Sequence, residues 1–253
     1  MMFYCVIPAR FGSSRLPGKP LLDIAGKPMV EWVRQAALAS AAARVIVATD
    51  HEGIHSRIVV NGGDALMTSA DHASGTDRLA EVARQCGWHD DAIVVNVQGD
   101  EPLIPPMAIN QVAANLQANP DCGVATLCEP ITDRQVLADP NAVKVVCAAE
   151  RALYFSRAPI PWARDRVLRG EGGIDPRCLP LRHIGLYAYR VAALHAFTRW
   201  AMAPLEAVEA LEQLRFLAQG VAIHVASALV PVPGGVDTPT DLERVRELLE
   251  HSA

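Results

Sequence analysis

Val6 to Leu22 reads VIPARFGSSRLPGKPLL. An apolar run from Phe3 to Ile7 stops at Pro8, and beyond it small residues and cations alternate: Arg10, Gly12, Ser13, Ser14, Arg15, Gly18 and Lys19. A helical pattern begins at Pro28. That order describes a buried strand running into a flexible cationic loop ahead of a helix. Small residues let backbone N–H groups approach an anion closely, and Arg10, Arg15 and Lys19 supply charge to match a polyphosphate. Basic residues in a surface loop are often merely solvated. Here they gather at a strand's carboxyl end, where open α/β sheets bind their ligands, and that favours phosphate binding. The stretch is neither GxxxxGK[ST] nor GxGxxG, so neither a P-loop NTPase nor a dinucleotide site is supported.

Strands and helices alternate outward from this loop. Pro28–Ser40 has apolar residues at Met29, Trp32, Val33, Ala36 and Ala37, at helical spacing. Arg44–Ala48 reads as a β-branched strand, with Thr49-Asp50 capping a helix from His51 to about Val60. A short strand near Ala65–Met67 precedes a helix over Thr76–Cys86. Ala92–Val97 is continuously apolar, as the buried centre of a parallel sheet should be. Pro105 and Pro106 open a helix to about Asn119. The result is an α/β fold with a doubly wound, mostly parallel sheet. Strands at Gly123–Glu129, Val143–Ala148 and Arg182–Arg190 then enclose a proline- and glycine-rich tract without helical period. Helices are predicted at Val191–Trp200, Leu205–Gln219 and Thr238–His251, with a strand at Val221–Ala226. Residues 1–253 read as a single domain, with a β-containing elaboration at about 130–190.

The 253 residues are 51% hydrophobic, enough for a substantial core, and carry a net charge of −5. Bulk attraction to nucleic acid is not expected, so an anion must be gripped locally. No signal peptide and no membrane-spanning run is expected. The six cysteines lack CxxC spacing, which suggests buried thiols in a reducing cytoplasm.

The strand Ala92–Val97 ends in Gln98-Gly99-Asp100, facing the same crevice as the cationic loop. Asp100 is compatible with an Mg²⁺ ligand, since that ion takes one or two carboxylates plus substrate phosphate oxygens. It is also compatible with a plain strand-ending turn. Asp237, in PGGVDTP, is either a second ligand or a helix entry. Ser74 and Gly75, in a polar segment at a helix start, either contact a base or cap the helix. Arg157 suits bidentate binding of a carboxylate or a surface ion pair. His183 precedes Tyr187 on one strand face, and a lone histidine there is as easily packed as functional. Glu206, Glu209, Glu212 and Gln213 fall on one predicted helix, some of them on its solvent face.

Taken together, IPARFGSSRLPGKPL (7–21), ADHASGTDRLAEV (70–82), VNVQGDEPLI (95–104) and GVDTPTDLERV (235–245) resemble the CMP-Kdo synthetases, the 3-deoxy-manno-octulosonate cytidylyltransferases. YFSRAPIPW (154–162), RHIGLYAYR (182–190) and LEQLR (211–215) extend the resemblance, in order, over nearly the whole chain. The first motif alone marks only the wider sugar cytidylyltransferases; VNVQGDEP, RHIGLYAYR and LEQLR point to the Kdo branch. Phe11-Gly12 departs from the Tyr-Ala of many members without removing a charge.

The resemblance implies a Rossmann-like fold of the nucleotide-diphospho-sugar transferase type. It implies transfer of CMP from CTP to Kdo, releasing pyrophosphate, for lipopolysaccharide assembly in the cytoplasm. Arg10, Lys19 and Asp100 would be catalytic. Ala9, Arg10, Arg15, Lys19, Ser74 and Gly75 would bind the nucleotide. Gln98, Arg157, His183, Tyr187, Glu212 and Gln213 would line the sugar site, and Asp100 and Asp237 would hold Mg²⁺. A homodimer is implied, with the elaboration around 150–190 supplying much of its interface and part of the sugar site, and with no nucleic-acid partner and no membrane insertion. The rival readings are a cytidylyltransferase for 8-amino-Kdo or another acidic sugar, and a non-catalytic sensor on the same fold.

Overall fold

The computed structural model describes residues 2–12 and 16–250. The apolar run at the N-terminus forms β1 (Tyr4–Ala9). After the cationic loop come a single 3-10 turn (Lys19–Leu21) and a hairpin, β2 (Asp23–Ile24) and β3 (Lys27–Pro28). The hairpin lies inside a stretch with no strand expectation, and it turns through Ala25 and Gly26, both at positive φ. Next in order are α1 (Met29–Leu38), β4 (Arg44–Thr49), α2 (Glu52–Val60), β5 (Asp64–Met67), α3 (Gly75–Gln85), β6 (Ile93–Asn96) and α4 (Pro106–Ala118). The second half continues with β7 (Val124–Pro130), α5 (Arg134–Ala138), β8 (Lys144–Ala148), β9 (Arg151–Ser156), α6 (Arg164–Leu168) and β10 (Leu181–Arg190). It closes with α7 (Val191–Phe197), α8 (Pro204–Glu209), α9 (Gln213–Ala218), β11 (Ile223–Ser227) and α10 (Pro239–Glu250).

Among the described residues nine strands form one sheet, in the order β5-β4-β1-β6-β10-β7-β11-β9-β8. β5, β4, β1 and β6 are parallel to one another, and β11 is parallel to β7. β10 runs antiparallel between β6 and β7. The chain leaves β1 for β4 on one side and later returns to β6 on the other. The crevice at the carboxyl ends of β1 and β6 is therefore the switch point of the sheet.

Period-2 alternation buries both faces. On β1, Cys5 and Ile7 join a core under α1, α2 and α4, while Val6 joins a second core with α3, α7 and α9. On β10, Ile184, Leu186 and Ala188 share the first core, as their spacing predicts, and Tyr187 and Tyr189 enter the second. Each fully buried aliphatic side chain contributes about 1.5–3 kcal/mol. A third, smaller cluster packs Leu16, Ile24 and Met29 against Val236, Leu242 and Val245. It clamps the cationic loop to the C-terminal segment, helped by the Arg246 guanidinium donating to Asp23 O at 2.8 Å. No helix of the described residues is long and apolar enough to cross a membrane.

Three local expectations are corrected. Arg151–Ser156 is a strand, paired with β8, despite the prolines that follow it. The helix at Glu52 is capped by His51, whose ring accepts from Gly53 N at 3.2 Å, rather than by Thr49-Asp50. The helix expected over Leu205–Gln219 is broken in two at Ala210, which adopts φ 50°. That left-handed residue costs about 1–2 kcal/mol. Tertiary bonds hold it: Arg157 donates Nε to Glu209 O at 2.7 Å and Nη2 to Ala210 O at 3.3 Å. Nothing in the local sequence signals such a break, because its cause lies 53 residues away.

Glu206 is likewise not a solvent-face residue. It is buried against Arg215, at 2.8 Å (Nε to Oε2) and 2.5 Å (Nη2 to Oε1), and accepts from Ala203 N at 3.0 Å. The Arg215 guanidinium also stacks 3.9 Å from the Phe197 ring centre. Removing one partner leaves a buried charge uncompensated, so Glu206→Ala is expected to cost about 3–5 kcal/mol. Urea unfolding checks this, and a loss below 1 kcal/mol would show that Arg215 finds water or a new partner.

Candidate active site

The carboxyl ends of β1 and β6 open on a cavity of about 340 Å³. Its walls include Ala9, Arg10, Lys19, Ser74, Gly75 and Asp100, together with Gln98 and Asp237. Residues expected on sequence grounds from four separate motifs thus meet in one place. Arg15 lies outside the described residues.

Gly18, at φ 66°, turns the chain into the 3-10 turn that begins at Lys19. The Lys19 ammonium then lies 2.6 Å from Asp100 Oδ2 and 3.1 Å from Asp237 Oδ1. Asp237 is brought there by the third core cluster and by Val236 N, which donates to Asp100 O at 2.8 Å. Gly235 eases this approach, since a Cβ there would crowd Asp100 O at 3.0 Å. Two hard carboxylate oxygens therefore converge on one cation position, beside a loop suited to phosphate. That donor set fits Mg²⁺, which takes few protein carboxylates and completes its shell with water and substrate phosphate. Among the described residues no group of three or more His, Cys, Asp or Glu is arranged to hold a metal by itself.

Next to this pair, Glu101 meets the site as a neutral acid. Burial pushes its carboxyl up to about 8, with Asp100 adding to the rise and Arg182 and Lys19 opposing it. A third negative charge at neutral pH is thereby avoided.

Another wall of the cavity is the start of α3. Ser74 is its N-cap, accepting from Asp77 N at 3.3 Å and donating to Asp77 Oδ2 at 2.9 Å. Sequence reasoning missed Asp50 and Arg78. Arg78 is buried, lines the cavity, and pairs with Asp50 Oδ2 at 2.9 Å. Asp50 also accepts from Phe11 N at 3.3 Å, and the Phe11 ring stacks 4.0 Å from His51. The cationic loop is thus anchored through Asp50 to the second turn of α3. The signal available was the Arg in SGTDR, whose partner no local pattern identifies.

Gly99 packs against the end of β1. A Cβ there would meet Pro8 O at 2.8 Å, a main-chain atom that cannot swing aside. Gly99→Ala is expected to displace the β1 terminus and raise the KM for the ligand of this cavity about 10-fold to 100-fold, because small misplacements at a positioning site are costly. An unchanged KM would mean that the two strand ends move apart freely.

The remaining candidates lie beyond this cavity wall. Tyr187 pairs in register with Asn96 on β6, and its ring is 5.2 Å from that of His183. His183 meets Thr126 Oγ1 at 3.1 Å; burial first, and Arg182 second, lower its pKa to about 3, so its imidazole is neutral. Arg157 does not face the cavity. Its N–H groups go to Glu209 O, Ala210 O and Pro140 O, and its main-chain N to Glu209 Oε2 at 2.9 Å. It shapes the turn that leads into Glu212 and Gln213. Tyr187 Oη, Glu212 Oε2 and Gln213 Nε2 are all buried without a hydrogen-bond partner among the described residues. Buried polar atoms rarely stay unpaired in the working state, so each of the three is a candidate for contact with a polar ligand.

A family model described as Cytidylyltransferase matches residues 4–223. The chain is 57% identical over 255 residues to the 3-deoxy-manno-octulosonate cytidylyltransferase of Saccharophagus degradans, covering all of both chains. It is 58% identical over 252 residues to the protein of that name from Cellvibrio japonicus, covering 99% of each. Among solved structures, a CMP:2-keto-3-deoxy-manno-octonic acid synthetase complexed with CTP superposes over 100% of both chains, with a TM-score of 0.91 and 42% identity. A cytidylyltransferase from Leptospira borgpetersenii, 16% identical with a TM-score of 0.63 over 98% of this chain and 87% of that one, shares the fold.

Proposed function

The chain belongs to the 3-deoxy-manno-octulosonate cytidylyltransferases, and on that premise we propose that it transfers CMP from CTP to Kdo in the cavity at the ends of β1 and β6. It is a CTP-dependent nucleotidyltransferase, giving CMP-Kdo and pyrophosphate. The observation that carries the assignment to this cavity is the meeting of Asp100 and Asp237 at Lys19 beside the N-terminus of α3.

The anomeric hydroxyl of the sugar attacks the α-phosphorus of CTP in line. The new bond is sugar oxygen to phosphorus, the bond to the β-phosphate bridging oxygen breaks, and the hydroxyl proton goes to solvent. Such a transfer asks little covalent chemistry of the protein, which supplies position and charge. Arg10, Arg15 and Lys19 hold the triphosphate. Ala9, Ser74 and Gly75 approach the nucleoside through main chain, where no bulky side chain stands in the way. Gln98, His183, Tyr187, Glu212 and Gln213 line the sugar side, His183 as a neutral hydrogen-bonding group. Arg157 serves that side by holding the turn at 209–212. Asp100 and Asp237 would hold Mg²⁺, which when bound neutralises charge on the phosphates and acidifies a coordinated hydroxyl.

A second copy of the chain is proposed to pair over β9 and α8, where Leu153, Leu205 and Val208 are exposed. The free thiols are compatible with a cytoplasmic setting. Pyrophosphate release from purified protein with Mg²⁺, each of the four NTPs, and Kdo, 8-amino-Kdo or sialic acid tests the reading. Release that needs CTP and Kdo together is expected. Release with another sugar alone would move the substrate, and silence with folded protein would overturn the reading.

A further inference from the structure

A side-chain bond joins the first turn of α3 to the N-terminus of α9. Thr76, fully buried, donates Oγ1 to Glu212 Oε1 at 2.6 Å, across 136 residues of sequence. On one side of this bond stand Ser74 and Gly75, which line the cavity. On the other, Glu212 Oε2 is buried and takes no hydrogen bond among the described residues. Tyr187 Oη and Gln213 Nε2 share that condition. The Tyr187 hydroxyl is near enough to feel the Glu212 charge.

A glutamate carboxyl turns easily about its last torsion, so one fixed oxygen decides where the other points. Thr76 is β-branched and sits in a helix, which leaves its χ1 few options. A stiff donor therefore sets the direction of a flexible acceptor. Burial raises the Glu212 carboxyl, while the bond from Thr76 opposes the rise and favours the charged acceptor form.

We propose that Thr76 is a positioning residue for the sugar substrate: its hydroxyl holds Glu212 so that Oε2 is presented to a hydroxyl of the bound sugar. The inference rests on the functional reading above and adds to it a residue that itself touches neither substrate. It also makes the nucleotide-facing turn and the sugar-facing carboxylate one rigid piece.

Steady-state kinetics of the full chain test it, with the wild type, Thr76→Val, Thr76→Ser, Glu212→Gln and the Thr76→Val/Glu212→Gln pair. Thr76→Val is expected to lower kcat/KM for Kdo at least 10-fold while KM for CTP changes less than twofold. Thr76→Ser, which keeps the hydroxyl, should stay within about threefold of wild type. In the Glu212→Gln background the valine should change kcat/KM for Kdo less than twofold. If Thr76→Val does not fold, Thr76→Ala enters the same cycle under the same criteria. Equal losses for both substrates, serine as harmful as valine, or a full valine effect without Glu212 would each overturn the inference. An inactive wild type would overturn the functional reading and the inference with it; an active wild type with any of those three patterns overturns the inference alone.

Discussion

Asp100→Ala is expected to lower turnover about 10³-fold while the protein still folds. The size follows from removing one pre-set electrostatic group from a reaction whose catalysis is mostly charge neutralisation. Asp100 supplies one of the two oxygens that meet at Lys19, and its loss leaves the ammonium with Asp237 alone. Folding should survive because the side chain is about one-third exposed, at 35%, and the docking of Val236 uses the main-chain carbonyl. Pyrophosphate release gives the turnover and thermal melting the integrity. Turnover within a few-fold of wild type would remove Asp100 from the charge-bearing role.

Lys19→Met keeps the apolar stem and removes the ammonium, and it should act in two opposite directions. The kcat/KM for CTP should fall about 10²- to 10³-fold, since a phosphate-facing cation is lost from a partly enclosed site. The affinity of the ligand-free protein for Mg²⁺ should rise. Two carboxylates that now share an internal cation would otherwise repel each other, and a divalent ion relieves that repulsion. Titration calorimetry with MgCl₂ reads the second effect. A fall in Mg²⁺ affinity would show that Asp100 and Asp237 do not serve one cation position.

The parts of this molecule that sequence makes legible are those whose cause is local. β1 is readable because an apolar run ends at a proline, and the loop after it because Arg10, Arg15 and Lys19 gather among small residues at the strand's carboxyl end. β6 and Asp100 follow from a continuous apolar run that ends in Gln-Gly-Asp. The alternation on β10 places Ile184, Leu186 and Ala188 on the face where they lie. What escapes is what distant residues impose. The break at Ala210 has no glycine or proline to mark it and is held by Arg157. Asp50 reads as a helix cap, yet it answers to Arg78 and Phe11 N. Arg157 reads as a carboxylate binder or half of a surface ion pair, and its donors are committed to main-chain carbonyls that shape the approach to Glu212. Which of Glu206, Glu209, Glu212 and Gln213 face solvent is not legible, because the partner that buries Glu206, Arg215, lies across the break.

β10 has a consequence for how the chain is made. It lies between β6 and β7, although it is synthesised long after both. A nascent polypeptide that has emerged only to Leu181 has two bare strand edges with nothing to bridge them. Those edges are open to pairing with other chains until Leu181–Arg190 arrives. The pairing is non-local, so it is slow to form and sets a late step in maturation. The early half can collapse on its own helices, but the two halves become one sheet only when this strand slots home. Fragments ending before Arg190 should therefore aggregate in the cell, and chains extending past Ser227, where β11 has also filled its place between β7 and β9, should be the first to escape chaperone capture.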